Sequence, residues 1–80
     1  MPSPASVPSL PQQASLDSSS LQSVGYSAEA GTMEIAFHNG SIYRYFGVPP
    51  HVHQALLGAS SKGRYFNAAI RSGFRFERLR

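Results

Sequence analysis

Arginine and aromatic residues interleave at three places in the second half of the chain, in Tyr43-Arg44-Tyr45, Arg64-Tyr65-Phe66 and Phe74-Arg75-Phe76. Surfaces that bind nucleic acid combine cations, which contact phosphates, with rings on which bases stack, and single-stranded RNA is recognised in this way. The pattern therefore predicts contacts with RNA or another single-stranded nucleic acid. The candidate contact residues are Arg44, Lys62, Arg64, Tyr65, Arg71 and Arg75.

The same triplets also have a purely structural interpretation. On a β-strand, residues i and i+2 point to one face, so the rings would pack inward while the arginines face water. Tyr43 and Tyr45 would then belong to the core, and their hydroxyls would need partners or reach solvent. The two interpretations both stay open at the level of sequence.

Charge is distributed unevenly along the chain. Residues 1–37 hold three acids and no lysine or arginine, whereas residues 38–80 hold all seven bases and one acid. Six of those bases are arginine, whose planar group makes forked contacts with phosphate and stacks on flat rings. The asymmetry favours an anionic partner, and its alternative is a solvated basic surface.

Residues 60–64 (Ser-Ser-Lys-Gly-Arg) combine hydroxyls, a glycine and two bases. At the start of a helix such a segment offers free backbone N–H groups to an anion. It lacks the glycine spacing of a nucleotide P-loop, so ATP binding is not implied. The alternative is an ordinary capped helix start.

Other site chemistry is poorly represented. His51 and His53 are two positions apart and would not face each other on a helix, and there is no cysteine, so we expect no metal. No carboxylate pair is available for acid–base work, so we expect neither an enzyme nor a cofactor.

No apolar run approaches the roughly 18 residues of a transmembrane helix, and no basic residue precedes a hydrophobic stretch at the N-terminus. We expect a cytoplasmic protein without a membrane partner.

The chain divides into two parts. Residues 1–20 contain four prolines, seven serines and no aromatic residue, and we expect them to form a disordered head. Residues 21–80 form the predicted folded domain, with a first strand over residues 21–27 and a second in which Met33, Ile35 and Phe37 alternate with smaller or polar residues. A return strand over residues 41–46 completes a hairpin.

The hairpin register depends on its loop. A two-residue Asn39-Gly40 loop would pair Ile35 with Arg44, whereas a three-residue loop with Gly40 as a bulge would pair Glu34 with Arg44. The second register sets opposite charges across from each other, and we prefer it. Met33, Ile35, Phe37, Tyr43 and Tyr45 then share the core face, and Glu34, Ala36, Ile42, Arg44 and Phe46 share the other.

The segment after the hairpin has the residue pattern of two short helices. Pro50 suits the first turn of a helix over residues 50–59, and Ser60-Ser61 can cap a second helix that Gly73 ends. Phe74 and Phe76 begin a final strand. The prediction is an α+β fold, a small antiparallel sheet with two short helices in the order β-β-β-α-α-β.

The residues from position 21 to 80 resemble the KTSC domain family. The matching stretches are Val24-Gly25-Tyr26, Met33-x-Ile35-x-Phe37-x-Asn39-Gly40, Tyr43-x-Tyr45, Gly47-Val48-Pro49, Ala59-Ser60, Gly63-x-Tyr65-Phe66-Asn67, Ile70-Arg71 and Phe74-x-Phe76. Tyr43 and Tyr45 meet the Tyr-x-Tyr motif of the family. KTSC domains occur alone in bacterial and phage proteins and at the C-terminus of some lysyl-tRNA synthetases. The resemblance thus implies an accessory module, with RNA as its expected ligand.

Two other functions are consistent with the sequence. A protein-interaction module would dock its partner on Ile42 and Phe46 of the hairpin or on an edge strand. A small hydrolase or nuclease would need its acids from another chain.

Overall fold

The structure is a computed structural model that describes residues 10–80. A five-stranded antiparallel sheet follows the order of the chain, and two helices lie between its fourth and fifth strands. The strands are β1 (Gln12–Ser15), β2 (Leu21–Ser27), β3 (Thr32–Phe37), β4 (Ile42–Phe46) and β5 (Phe76–Arg78), and the helices are α1 (Pro50–Gly58) and α2 (Lys62–Tyr65), which continues as a π-helical turn over Phe66–Ile70. No helix in this part of the chain is long and apolar enough to cross a membrane.

The α+β class and the antiparallel sheet are confirmed, and the structure adds strand β1. The order is β-β-β-β-α-α-β instead of the predicted β-β-β-α-α-β. β1 lies within residues 1–20, which we expected to be disordered, yet it pairs with β2 from Gln12 opposite Tyr26 to Ser15 opposite Ser23. The edge of β2 supplies backbone hydrogen-bond partners, which composition does not reveal. The expectation for residues 1–9 lies outside the described residues.

The hairpin of β3 and β4 has the preferred register. Glu34 lies opposite Arg44, and Ile35 lies opposite Tyr43. Gly40 has a φ of 94°, in the left-handed region that favours glycine, and its N–H donates to the Phe37 carbonyl at 2.9 Å. The three-residue loop therefore decides which side chains of β4 face the core.

The face of the sheet that packs against the helices, here called the helix face, carries the main core. Phe37 and Tyr43 are partly buried against it, as predicted for this side of the hairpin. The buried members of the core are Leu16, Leu21, Val24, Tyr26, Met33, Ile35, Tyr45, Val48, Val52, Leu56, Phe66 and Ile70.

The opposite side, here called the reverse face, is also largely buried around its centre. Ala36 and Ile42 are 5% and 3% exposed, and the Glu34 carboxylate is 1% exposed. Arg44 donates to the Glu34 Oε2 from Nε at 2.8 Å and from a terminal nitrogen at 2.5 Å. A buried carboxylate needs such a partner, because removing a charge from water is costly. Arg44 is therefore held by an acid on this face.

The helices start and change pitch for local reasons. Pro50 occupies the first position of α1, where its missing N–H needs no partner. The Ser61 hydroxyl accepts from the Arg64 N–H at 3.3 Å and caps α2, as predicted. The Arg71 N–H then donates to the Phe66 carbonyl at 2.9 Å, the wide spacing of a π-helical turn. Arg71 is thus positioned by a turn whose pitch the sequence pattern did not predict.

A stacked pair of rings joins α1 to the sheet. The rings of Tyr26 and His53 are 4.3 Å apart with an interplanar angle of 16°. The Tyr26 hydroxyl donates to the Val48 carbonyl at 2.7 Å. His53 is 3% exposed, and burial lowers its pKa from the usual 6.5, because the cationic imidazole would lose its hydration.

We predict that Arg44→Gln lowers the free energy of unfolding by about 1–3 kcal/mol, because it removes the cation that faces the buried Glu34 carboxylate. Urea unfolding measures the change. Arg75→Gln is the matched control, since Arg75 is exposed and forms no ion pair with a described residue. Equal losses for the two variants would contradict the stabilising role of the buried pair.

We predict that the free energy of unfolding falls as the pH drops below about 6.5, which is the pKa of an unperturbed histidine. The unfolded chain then binds a proton at His53 that the folded protein resists, so the free energy of unfolding decreases until the folded pKa is passed. Urea unfolding near neutral pH and at about pH 5 measures the loss.

The His53→Phe variant keeps a ring against Tyr26 but takes up no proton, so we expect a smaller loss of stability on acidification. The His51→Phe variant, changed on the exposed side of the same helix, should lose as much stability on acidification as the parent protein. An NMR titration of the parent protein provides a second readout, and a His53 pKa at or above 6.5 would contradict the burial argument.

Candidate functional site

A cleft of about 370 Å³ opens on the helix face, between strands β4 and β5 and the second helical segment. Its size falls at the lower end of the range for small-molecule sites. We call it the aromatic cleft. Its lining residues are Phe37, Asn39, Ser41, Tyr43, Tyr45, Phe66, Asn67, Arg71 and Phe76.

Strand register brings the rings of the cleft together. Tyr45 lies opposite Phe76, and Tyr43 lies opposite Arg78. Because side chains alternate along a strand, all four of these residues point to the helix face. Arg75 and Glu77 point the other way by the same alternation, since Arg44 lies opposite Glu77 on the reverse face.

The rings form a contiguous floor. The centroid of Tyr45 is 6.5 Å from that of Tyr43 and 5.7 Å from that of Phe66. The ring centroid of Phe37 lies 5.8 Å from that of Tyr43 and 5.4 Å from that of Phe66, so Phe37 also belongs to this floor. Phe76 packs against both tyrosines and is 50% exposed, so it presents a ring to solvent at the edge of this floor.

The tyrosine motif is both packed and accessible. Tyr45 is 3% exposed and Tyr43 is partly exposed, and both line the cleft. Burial, and next the neighbouring Tyr43, raise the pKa of Tyr45 to about 12, against an opposing effect of Arg71. The Tyr45 hydroxyl therefore stays protonated at neutral pH and can donate a hydrogen bond in the cleft.

Positive charge faces the cleft from two elements. Arg71 is an exposed lining residue, and Asn67 lies one turn before it. On β5 the Arg78 guanidinium lies 5.8 Å from the Tyr43 ring centroid and donates to the hydroxyl of the lining residue Ser41 at 3.4 Å. None of the described lining residues is acidic. The cleft therefore suits a flat ligand that carries negative charge or hydrogen-bond acceptors.

The six predicted contact residues do not gather on one surface. Arg71 lines the aromatic cleft with the motif residues Tyr43 and Tyr45. Arg44 and Arg75 lie on the reverse face, where Arg44 binds Glu34 and Arg75 lies 5.2 Å from the Phe46 ring centroid. The triplets at β4 and β5 are thus split by strand alternation, with rings on one side of the sheet and cations on the other. The third triplet, Arg64-Tyr65-Phe66, lies in the second helical segment.

The remaining three candidates lie on or next to α2. Tyr65 is partly buried against the core, and Arg64 is exposed. The Lys62 ammonium donates to the Ala59 carbonyl at 2.8 Å. Arg64 lies three positions before the lining residue Asn67 and is not itself a lining residue of the cleft.

The predicted anion segment lines a smaller cavity of about 200 Å³. Asp17 contributes to the same cavity, so its charge opposes that of Lys62. The Ser61 hydroxyl is used to cap α2. This arrangement matches the capped helix start better than an anion site. His51 is exposed and His53 is buried, and no group of three metal-ligating side chains occurs within residues 10–80.

The cleft contains residues that were not predicted as site residues, namely Phe37, Asn39, Ser41, Phe66, Asn67 and Phe76, and Arg78 lies beside them. The alternation of Phe74, Phe76 and Arg78 was visible in the sequence and placed Phe76 on the inner side of its strand. The missing information was the pairing of β5 with β4, which brings Phe76 beside Tyr45.

Comparisons with known proteins show similarity to one domain family and to two proteins from other bacteria. Residues 17–74 match the KTSC domain. The chain is 48% identical over 60 residues to an uncharacterized protein of Stutzerimonas stutzeri, covering 75% of this chain and 84% of that protein. It is 41% identical over 63 residues to a lysine–tRNA ligase of Nostoc punctiforme, covering 79% of this chain but 11% of the ligase.

The fold also matches a solved structure. A crystal structure of a KTSC domain protein from Yersinia pestis superposes with a TM-score of 0.80 at 36% identity. The match covers 86% of this chain and 97% of the Yersinia chain.

Proposed function

The chain belongs to the KTSC domain family, and we propose that it is an accessory module that binds single-stranded RNA in the aromatic cleft. The observation that carries the proposal is the combination of clustered rings and guanidinium groups in a cleft without a lining carboxylate. The site is narrower than the basic surface expected from the sequence, because Arg44 and Arg75 lie on the reverse face.

Base stacking is the first interaction that the cleft offers. Phe76 is half exposed and packs against Tyr43 and Tyr45, which hold its ring in place. A base that stacks on an aromatic side chain contributes about 1–3 kcal/mol, largely independent of base identity. We therefore expect recognition with little sequence preference.

Phosphate contacts are the second interaction. Arg71 and Arg78 flank the rings, and Arg64 lies in α2, which precedes Arg71 in the chain. Within residues 10–80 the two recorded ion pairs both belong to Arg44, with Glu34 and Glu77. The acids nearest in the sheet are thus engaged on the reverse face, and the arginines beside the cleft face an anion without competition from them.

The relatives support RNA as the anion. A region of the lysine–tRNA ligase of Nostoc punctiforme shares 41% of its residues with this chain, and tRNA is named as that protein's substrate. A module attached to such an enzyme has RNA within reach. We extend this context to the present chain as part of the proposal.

A protein partner is the second candidate, and one observation favours it. Phe76, the first residue of β5, is 50% exposed, and Leu79, which follows β5, is 40% exposed. β5 is an edge strand of the sheet. An extended peptide could pair with such an edge. The hairpin surface first considered for docking is less suitable, because Ile42 is buried and Phe46 lies against Arg75.

We predict that a labelled single-stranded RNA of about twelve nucleotides binds with a Kd on the order of 10⁻⁴ to 10⁻⁶ M and more weakly as salt is raised from about 50 to about 200 mM. Fluorescence anisotropy measures both effects. Arg71→Gln should weaken binding and reduce the dependence of log K on log salt by about 0.7 for one lost phosphate contact.

Two controls separate the cleft from general surface effects. Arg75→Gln makes the same charge change on the reverse face and should leave the affinity near that of the parent protein. Phe76→Ala should weaken binding by about 1–3 kcal/mol, whereas Leu79→Ala removes a neighbouring exposed apolar side chain and should have little effect. No binding at low salt, or equal effects of Arg71→Gln and Arg75→Gln, would contradict the proposal.

A further inference from the structure

We infer that the aromatic cleft holds one nucleotide at the end of an RNA strand, and that this nucleotide carries a terminal phosphate. The inference rests on the proposed function and narrows it. The alternative arrangement is a strand of RNA whose successive bases stack along the surface of the domain.

The number of stacking positions argues for a single base. Proteins that bind several successive bases offer a ring for each of them. Among residues 10–80, the large apolar side chains classed as exposed are Phe76 and Leu79, and Phe76 is the aromatic one. The other rings of the cleft pack against each other or the core, so they form its floor. They do not offer further exposed ring faces on which successive bases could stack.

The size of the cleft agrees with this count. A volume of about 370 Å³ is close to the smallest of the typical ligand sites, which range from about 300 to 1,000 Å³. Such a cleft has room for one small planar ligand beside Phe76. An extended strand would need contacts beyond the lining residues.

The charge beside this one position favours a terminal phosphate. Arg71 lines the cleft from the helical segment, and the Arg78 guanidinium on β5 lies 5.8 Å from the ring centroid of the lining residue Tyr43. A phosphodiester inside a strand carries one negative charge, whereas a phosphomonoester carries about 1.5 to 2 near neutral pH. Guanidinium groups make forked, charge-assisted hydrogen bonds with such a group. Two cations at a one-base site match the end of a strand better than its interior.

The polar groups around the cleft are suited to donate hydrogen bonds. The Asn39 Oδ1 already accepts from the Ser41 N–H at 2.9 Å, which leaves the amide hydrogens of Asn39 as its available donors. The protonated Tyr45 hydroxyl and the Asn67 amide add further donors. A donor-rich lining without carboxylates recognises phosphate oxygens and base acceptors, and it disfavours a cationic ligand.

The test compares the ends of one RNA. The same oligonucleotide is prepared with hydroxyl groups at both ends, with a 5′-phosphate and with a 3′-phosphate, and each form is titrated into the protein by calorimetry. We expect one phosphorylated form to bind about 10-fold more tightly than the hydroxyl-ended form, the size expected for a charged hydrogen bond.

Matched variants assign the difference to the cleft. Arg71→Gln should reduce the preference for the phosphorylated end to less than about 2-fold, whereas Arg75→Gln should preserve it. Chemical-shift changes in ¹⁵N-labelled protein should centre on residues 41–45, 66–71 and 76–78. Shortening the phosphorylated RNA from its other end should change the affinity little.

The outcomes distinguish the inference from the function on which it rests. RNA that binds equally well with either kind of end, with affinity that increases with length, overturns the inference and leaves RNA binding intact. No binding of any RNA overturns both. Adenosine 5′- and 3′-monophosphates are titrated in parallel, and binding of either without binding of RNA would identify a free nucleotide as the ligand and also overturn both.

Discussion

The ion pair between Glu34 and Arg44 constrains the register of the whole C-terminal half of the sheet. The Glu34 carboxylate is 1% exposed, and two nitrogens of Arg44 donate to it across the hairpin. A shift of one residue would turn the side chains of β4 to the opposite face and separate the charges. Because a buried carboxylate is costly without its partner, such a shift is strongly disfavoured. The same register sends Tyr43 and Tyr45 to the helix face.

This constraint also separates the charges of the molecule by face. Glu77 of β5 lies opposite Arg44, so Glu34, Arg44 and Glu77 form one row across the reverse face. Alternation then places Phe76 and Arg78 on the helix face, beside the tyrosines. The side chain of Arg78 therefore points away from the two acids of that row, and Arg71 lines the cleft on the helix face. A chain of modest net charge obtains in this way a local surface that favours anions.

The same residues serve packing and the proposed binding. Tyr45 belongs to the hydrophobic core, yet its ring also forms part of the floor of the cleft. The structural and the functional interpretations of the Tyr-x-Tyr motif are thus compatible, because a ring can be buried on one side and line a cavity on another. The half-exposed Phe76 differs from them in that its packing leaves a ring surface available to a ligand.

Features that depend on neighbours along the chain could be predicted from the amino-acid sequence. Alternation and the loop at Gly40 predicted the hairpin register, Pro50 predicted the start of α1, Ser61 predicted the cap of α2, and the ordered short motifs predicted the KTSC family. Tertiary structure alone decided the pairing of β1 with β2, the position of β5 beside β4, the burial of Ile42 and the separation of Arg44 from Arg71. These features depend on contacts between distant segments. Backbone hydrogen bonds between strands carry little side-chain information, so a polar edge strand such as β1 and a three-residue strand such as β5 leave almost no pattern in the sequence.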